Sequence, residues 1–243
     1  MLAEVSHKLS ARFTAGASRR LPAVVLALLL ALSVGGVRSA AAWDRADSEA
    51  LVSRMEAAYR DLNDYQTRLV ITGFGKDSAF TAPHRLLYTF KKPNRVRVDF
   101  ESPHRGMTIA YPDQHGNVAL RLVFPPITLR VDAESPLVEI SPGQQINQTD
   151  LGMLIRNISH SLTDMFQGDL DVSEDSDRIV IRVLSDNPFK RGVPTRYTFT
   201  IDKRLHLPVG VDESSPSGVL KRRVLYENLR INTGIGETFF RLR

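Results

Sequence analysis

The sequence predicts a mainly β fold (α+β): one highly curved antiparallel sheet forming an unclosed β-barrel, covered by two helices. Three observations lead there. From residue 65 to residue 231 most of the chain alternates apolar and polar side chains with period two, the pattern of strands with one buried face. Turn residues such as Lys92-Pro93-Asn94, His115-Gly116 and Ser215-Pro216-Ser217-Gly218 recur between these runs, so successive strands pair as antiparallel neighbours. Two stretches have helical spacing instead, one before the first strand and one in mid-chain. A sheet of about ten strands curls, and two amphipathic helices with no bundle of their own are best placed across its concave face.

Residues 1–42 read as a secretory signal peptide. Arg19-Arg20 close a basic segment, residues 21–34 (LPAVVLALLLALSV) are apolar, and Ser39–Ala42 are small, with cleavage expected before Trp43. The apolar run is short beside the ~20 residues that span a bilayer. The same segment holds Lys8, Arg12, Arg19, Arg20 and Arg38 against Glu4 alone, so most of the formal net charge of +5 lies in it. The remainder is close to neutral and gives no footprint for nucleic acid. With 42% hydrophobic and 24% charged residues, collagen-like, disordered and disulfide-stapled chains are excluded. The absence of cysteine leaves residues 43–243 as one domain that relies on its core, exported as a soluble protein to a periplasm.

The first helix is expected over Ser48–Leu62, with Leu51, Val52, Met55, Tyr59 and Leu62 at three- and four-residue spacing and Asp47 or Ser48 as N-cap. Strands follow at Tyr65–Ile71, Leu86–Phe90 and Val96–Phe100, then Met107–Tyr111, Val118–Phe124 and Ile127–Val131. Residues 149–166 form the second helix. Leu151, Leu154, Ile155, Ile158 and Leu162 make its apolar stripe, and Thr149 or Asp150 its cap. Ile179–Val183, Tyr197–Ile201, Leu207–Val211 and Val219–Ile231 complete the sheet. A half-closed barrel of this size has an interior that its own side chains do not easily fill, and incomplete filling makes a cavity.

The order of these elements resembles the LolA superfamily. The carrying residues are the Lys91-Lys92-Pro93-Asn94 turn before Arg95–Glu101, Pro103-x-x-Gly106, Tyr197-Thr-Phe-Thr-Ile-Asp202, Asn228-Leu-Arg-Ile-Asn232 and Phe239-Phe240. Ser141–Ile158, with Asn147-Gln-Thr-Asp-Leu-Gly152, looks closer to an uncharacterised lipoprotein-sorting branch than to the true carrier. The resemblance implies a periplasmic carrier that takes acyl chains of lipids or lipoproteins into an apolar cavity for transport toward the outer membrane. The lining candidates are Leu86, Tyr88, Phe90, Val96, Val98, Phe100, Ile179, Ile181, Val183, Tyr197, Phe199 and Ile201, which equally suit a plain barrel core. Leu151, Leu154, Ile155, Ile158 and Leu162 are the lid helix. Lys92 stands where the carriers have an arginine that helps latch the lid, and it offers a single ammonium in place of a forked guanidinium.

The implied partners are an inner-membrane donor and an outer-membrane acceptor, with the carrier itself a monomer. An envelope-stress sensor that uses the same barrel to detect lipids or misfolded proteins is the alternative. Catalysis is not expected: there is no cysteine nucleophile, His-Glu-x-x-His, Gly-x-Ser-x-Gly or phosphate loop, and His115 and His160 read as surface histidines. No metal or cofactor is expected either, since Asp169, Asp171, Glu174, Asp175 and Asp177 lack calcium-loop spacing and read as a solvated turn. Lys190-Arg191, Lys203-Arg204 and Lys221-Arg222-Arg223 read as solvated faces, or, if they gather at one rim, as a dock for anionic headgroups.

Overall fold

The computed structural model describes residues 43–75, 82–113, 115–138, 145–146, 149–163, 165–187 and 190–242, without the side chains of 165–168, 190 and 191. The expected signal peptide and, within the Ser141–Ile158 stretch, residues 141–144, 147 and 148 lie outside the described residues. Helix α1 spans Arg45–Arg60 and starts earlier than its apolar spacing suggests, because Asp44 caps it. The Asp44 carboxylate accepts from the Asp47 amide at 2.9 Å and the Asp47 carboxylate from the Asp44 amide at 3.1 Å, satisfying two N–H groups reciprocally. Leu51 and Met55 are buried on its inner side.

The strands are β1 (Asp64–Gly73), β2 (His84–Lys91), β3 (Arg95–Ser102), β4 (Thr108–Tyr111), β5 (Val118–Arg121), β6 (Thr128–Val131), β7 (Met165–Glu174), β8 (Arg178–Asn187), β9 (Lys190–Asp202), β10 (Leu207–Ser214) and β11 (Leu220–Ile231). They form one antiparallel sheet in the order β6-β5-β4-β3-β2-β1-β11-β10-β9-β8-β7, so two meanders join where β1 pairs with β11. In that order β6 and β7 are the edges and the barrel is unclosed, as the period-two pattern predicts. Helix α2, Leu151–Thr163, lies in the connection between them. Among the described residues no helix is long and apolar enough to cross a membrane.

Besides the earlier start of α1, α2 ends at Thr163 instead of reaching residue 166, because β7 begins at Met165, and two further segments differ from the sequence reading. The acidic run is not a turn alone: residues 169–174 belong to β7, with Leu170 opposite Val183 and Val172 opposite Ile181. Asp169 and Asp171 alternate with them and pair with Arg196 at 3.3 Å and Arg182 at 2.8 Å. Cross-strand cations therefore let a strand carry alternate carboxylates. The strand expected over Val118–Phe124 ends at Arg121, and residues 122–127 form an exposed turn into β6.

Register explains where the core sits. One inner row runs Ile71, Val224, Val211, Phe199, Ile181 and Val172 across β1, β11, β10, β9, β8 and β7, and another runs Thr67, Tyr88, Val98 and Ile109 across β1 to β4. Together with Leu51, Met55, Leu151, Ile155 and Ile158 from the helices these rows make one continuous core. Each such side chain taken out of water contributes about 1.5–3 kcal/mol. The outer face carries cross-strand ion pairs, Arg68 with Glu101 and Arg223 with Asp212, both held by two hydrogen bonds. The C-terminal segment lies against β2 and β3, where Lys91 donates to the Ile235 carbonyl and the Arg97 guanidinium stands 4.6 Å from the Phe239 ring centre.

Candidate functional site

The chemistry available to this fold lies between its two helices and the sheet. Asp150 caps α2 by accepting the Met153 amide at 2.9 Å. The Leu151 amide, free of an intrahelical partner at this position, donates to the Tyr65 hydroxyl at 3.1 Å, and the Tyr88 hydroxyl shares a 3.0 Å hydrogen bond with Thr149. Burial pushes both tyrosines well above their usual pKa and keeps them neutral partners for the helix start. At the other end Ser185 on β8 donates to Ser161 at 3.0 Å, both buried. Helix α2 thus crosses the inner face from β1–β2 to β8.

Helix α1 runs antiparallel to α2. Where they cross, α2 presents Gly152, and a Cβ there would lie 2.7 Å from the Tyr59 ring. The Tyr59 hydroxyl donates to Asp150. Burial, and then this carboxylate, raise the Tyr59 pKa far above its ordinary value. The Lys92 ammonium donates to the carbonyls of Tyr59 and Arg60 at 2.7 and 2.8 Å and stands 4.8 Å from the centre of the Tyr59 ring. Three separate elements meet there: the β2–β3 turn, the C-terminus of α1 and the cap of α2. Lys92 touches α1 directly and α2 only through Tyr59, one ammonium serving two backbone carbonyls.

Toward the other ends of the helices a cleft of about 330 Å³ separates the start of α1, the end of α2 and edge strand β7. That is the lower end of the range in which small-ligand sites fall. Trp43, Val52, Leu162 and Leu170 give it its apolar surface, and the charged Asp44, Arg45, Glu49 and Glu56 line it as well, with serines and Thr163 between them. Trp43 is held by its indole N–H, which donates to Ser48 at 2.9 Å. A second cavity, of about 40 Å³, has room for a water molecule beside Met153, Leu154 and the Glu213–Arg222 pair, whose charged atoms are 2.6 Å apart.

The structure brings the twelve strand candidates together on the inner face. All are buried in the one core except Phe100, which is half-buried against it. In the lid-helix set, Leu151, Ile155 and Ile158 are sealed beneath α2, Leu154 borders the small cavity and Leu162 reaches the cleft. Trp43, Val52 and Leu170 line the cleft but lie outside the strand and lid-helix candidates. Val52 had a signal in the stripe of α1, and Leu170 had one in its alternation with Val172, which the surrounding carboxylates masked.

The basic runs do not gather at one rim. Lys203 pairs with Glu174 at one end of the sheet, whereas Arg222 and Arg223 pair with Glu213 and Asp212 near the other. The side chains of Lys190 and Arg191 are outside the described residues. His115 lies in the exposed β4–β5 turn, and His160 is half-buried on α2. Among the described residues no group of three or more metal-binding side chains assembles.

No family model and no curated protein matches the chain. Solved structures similar to it include a Thermus thermophilus protein described as uncharacterized and conserved, with TM-score 0.47, 10% identity and coverage of 81% of this chain and 94% of that one. A second is the MucA/MucB complex of Pseudomonas aeruginosa, with TM-score 0.46, 18% identity, and 81% and 61% coverage, so the present chain spans less than two thirds of that relative. A LolA superfamily protein of Nitrosomonas europaea is also similar, with TM-score 0.39, 10% identity, and 80% and 97% coverage. The similar structures thus include the superfamily that the sequence resembles, and at these scores they carry no argument about what the chain binds.

Proposed function

We propose that the chain is a periplasmic carrier that binds the acyl chains of lipids or lipoproteins reversibly, without covalent chemistry, for transfer toward the outer membrane. The observation that carries this reading is the cleft beside α1, α2 and β7, whose apolar residues Trp43, Val52, Leu162 and Leu170 belong to or pack against the continuous core, with Asp44, Arg45, Glu49 and Glu56 also in its lining. An acyl chain entering it needs no dedicated polar partner, because each buried CH₂ contributes about 0.8 kcal/mol. Deeper entry requires α2 to shift. The polar contacts that hold α2 lie at its two ends, at Tyr65, Tyr88 and Ser185, while its middle rests on apolar side chains that a guest chain replaces in kind.

Trp43 is the only tryptophan in the chain and lines the cleft, so it reports occupancy. Titration with a brominated fatty acid is expected to quench its fluorescence saturably. Val52→Asp, which sets a charge in the apolar wall, is expected to weaken that binding roughly tenfold or more while leaving the far-ultraviolet circular dichroism unchanged. A wild-type protein whose fluorescence ignores the brominated chain, and which carries no lipid in its native mass spectrum, overturns the reading.

A further inference from the structure

One row of the inner face carries charge. Glu213 and Arg222 stand two residues from the inner Val211 and Val224, and register sets Val183, Tyr197, Glu213, Arg222 and Gly73 side by side across β8, β9, β10, β11 and β1. The charged atoms of Glu213 and Arg222 are 2.6 Å apart, and their side chains keep only 20% and 18% of their exposure. Met153, Leu154 and Asn157 of α2 border the cavity of about 40 Å³ beside them. Asp150 borders it too, its carboxylate engaged by the Tyr59 hydroxyl and the Met153 amide. An ion pair withdrawn from water adds little stability over apolar side chains of the same size. Its place on the wall of an apolar barrel therefore points to a ligand.

The neighbouring tyrosine points the same way. Tyr197 lies directly opposite Glu213 and is 1% exposed, with its ring stacked on Phe199 at 5.2 Å. Its hydroxyl is buried without a hydrogen bond of normal geometry among the described residues, although Thr195 is beside it. Burial and then Glu213 raise its pKa far above the ordinary value, so it stays a neutral donor. A buried hydroxyl left without a partner is unfavourable, and a ligand oxygen supplies one.

Charge narrows the ligand. A simple anion would draw Arg222 from Glu213 and leave that carboxylate beside Asp150 without its cation. A simple cation would take Glu213 and strand the guanidinium. A head group with both signs answers both: a phosphate accepts from Arg222 and the Tyr197 hydroxyl, and an ammonium donates to Glu213.

We propose that the Glu213–Arg222 pair opens to receive the head group of a zwitterionic phospholipid, with the phosphate on Arg222 and the ammonium on Glu213. The inference rests on the carrier reading and adds a head-group site to it. The cavity has room only for a water molecule, so the head enters as α2 lifts, the same shift that deeper entry of an acyl chain requires. Asn157 at this cavity and Leu162 at the cleft are about 7.5 Å apart along the helix axis, well within the reach of an acyl tail.

The test is calorimetric titration of the protein, expressed from its full sequence, with lysophosphatidylethanolamine and lysophosphatidylglycerol of one chain length below their micelle concentrations. Wild-type protein is expected to bind the first roughly fivefold more tightly or better. Glu213→Leu with Arg222→Met is expected to abolish that preference with unchanged far-ultraviolet circular dichroism, whereas Asp212→Leu with Arg223→Met, the outer-face pair, keeps it. Tyr197→Phe removes only the unsatisfied hydroxyl, so it is expected to leave stability intact yet weaken lysophosphatidylethanolamine roughly threefold. Equal affinity for the two lysolipids, or a preference that survives in the Glu213–Arg222 variant, overturns the proposal and leaves the cavity with a structural water only. Glycerophosphoethanolamine, the head without a tail, is expected to give no measurable heat, and affinity equal to that of the lysolipid overturns a lipid as the source of the head. Quenching of Trp43 by the brominated fatty acid is expected to persist in every variant, so the head-group site can fail while the carrier reading stands. Loss of all binding in the wild type, fatty acid included, overturns both.

Discussion

A single carboxylate, Asp64, ties the first strand to the C-terminal segment. It is buried, yet it accepts hydrogen bonds from the Thr233 amide at 2.7 Å, the Thr233 hydroxyl at 3.0 Å and the amides of Gly234 and Ile235 at 3.1 and 3.2 Å. Burial works against its ionisation, but these donors outweigh it and hold its pKa below the ordinary 3.8. A depressed carboxylate pKa contributes stability that is present above the unfolded value and is lost as pH falls through the folded one. Asp64→Asn, which turns one acceptor into a donor facing N–H groups, is expected to cost about 1–3 kcal/mol in urea unfolding at neutral pH. Its stability is also expected to fall less than that of the wild type as pH drops below 3.8. Equal acid sensitivity in the two proteins would remove Asp64 as the source.

At the scale of elements, the crossing of α1 and α2 depends on the missing side chain of Gly152. The Tyr59 ring occupies the space where a Cβ would stand, and the Tyr59 hydroxyl reaches the cap of the same helix. Gly152→Ala gains helix propensity but forces ring and helix apart, with an expected net loss of about 1–3 kcal/mol. In a double-mutant cycle with Tyr59→Ala the two losses should be less than additive, since the second change removes the clash. Additive losses in thermal or denaturant unfolding would mean that α2 is held elsewhere. The polar contacts of α2 at Tyr65, Tyr88 and Ser185 fix its ends, leaving its apolar stripe to determine how readily its middle yields.

At the scale of the whole molecule, one core joins the two meanders through β1 and β11 and continues beneath both helices. A shared core makes separate unfolding of either half costly. Residues 43–242 are therefore expected to unfold in one transition, with Trp43 fluorescence and far-ultraviolet circular dichroism giving the same midpoint. Distinct midpoints would show that the helices leave before the sheet. The same continuity explains the contrast between the faces and the ends of the sheet: the inner face is filled, the outer face carries ion pairs, and among the described residues most exposed large apolar side chains lie at or beside the turns of one end.

The sequence by itself determined the elements whose pattern is local. Period two placed Leu86–Phe90, Val96–Phe100, Ile179–Val183 and Tyr197–Ile201 on one buried face, and the stripe from Leu151 to Leu162 specified the second helix with Asp150 at its cap. It could not reveal β7, because Asp169 and Asp171 read as turn residues until Arg196 and Arg182 are seen across the strands. Nor could it assemble the cleft, whose walls come from Trp43, Val52, Leu162 and Leu170, far apart in the chain and brought together by the antiparallel helices. Lys92 was legible as a position, and its two carbonyl partners were not. That Phe74, Phe124 and Val219 are exposed in turns at the same end of the sheet also required tertiary structure. Which end a turn occupies depends on strand order and register, and those are decided by packing between distant segments.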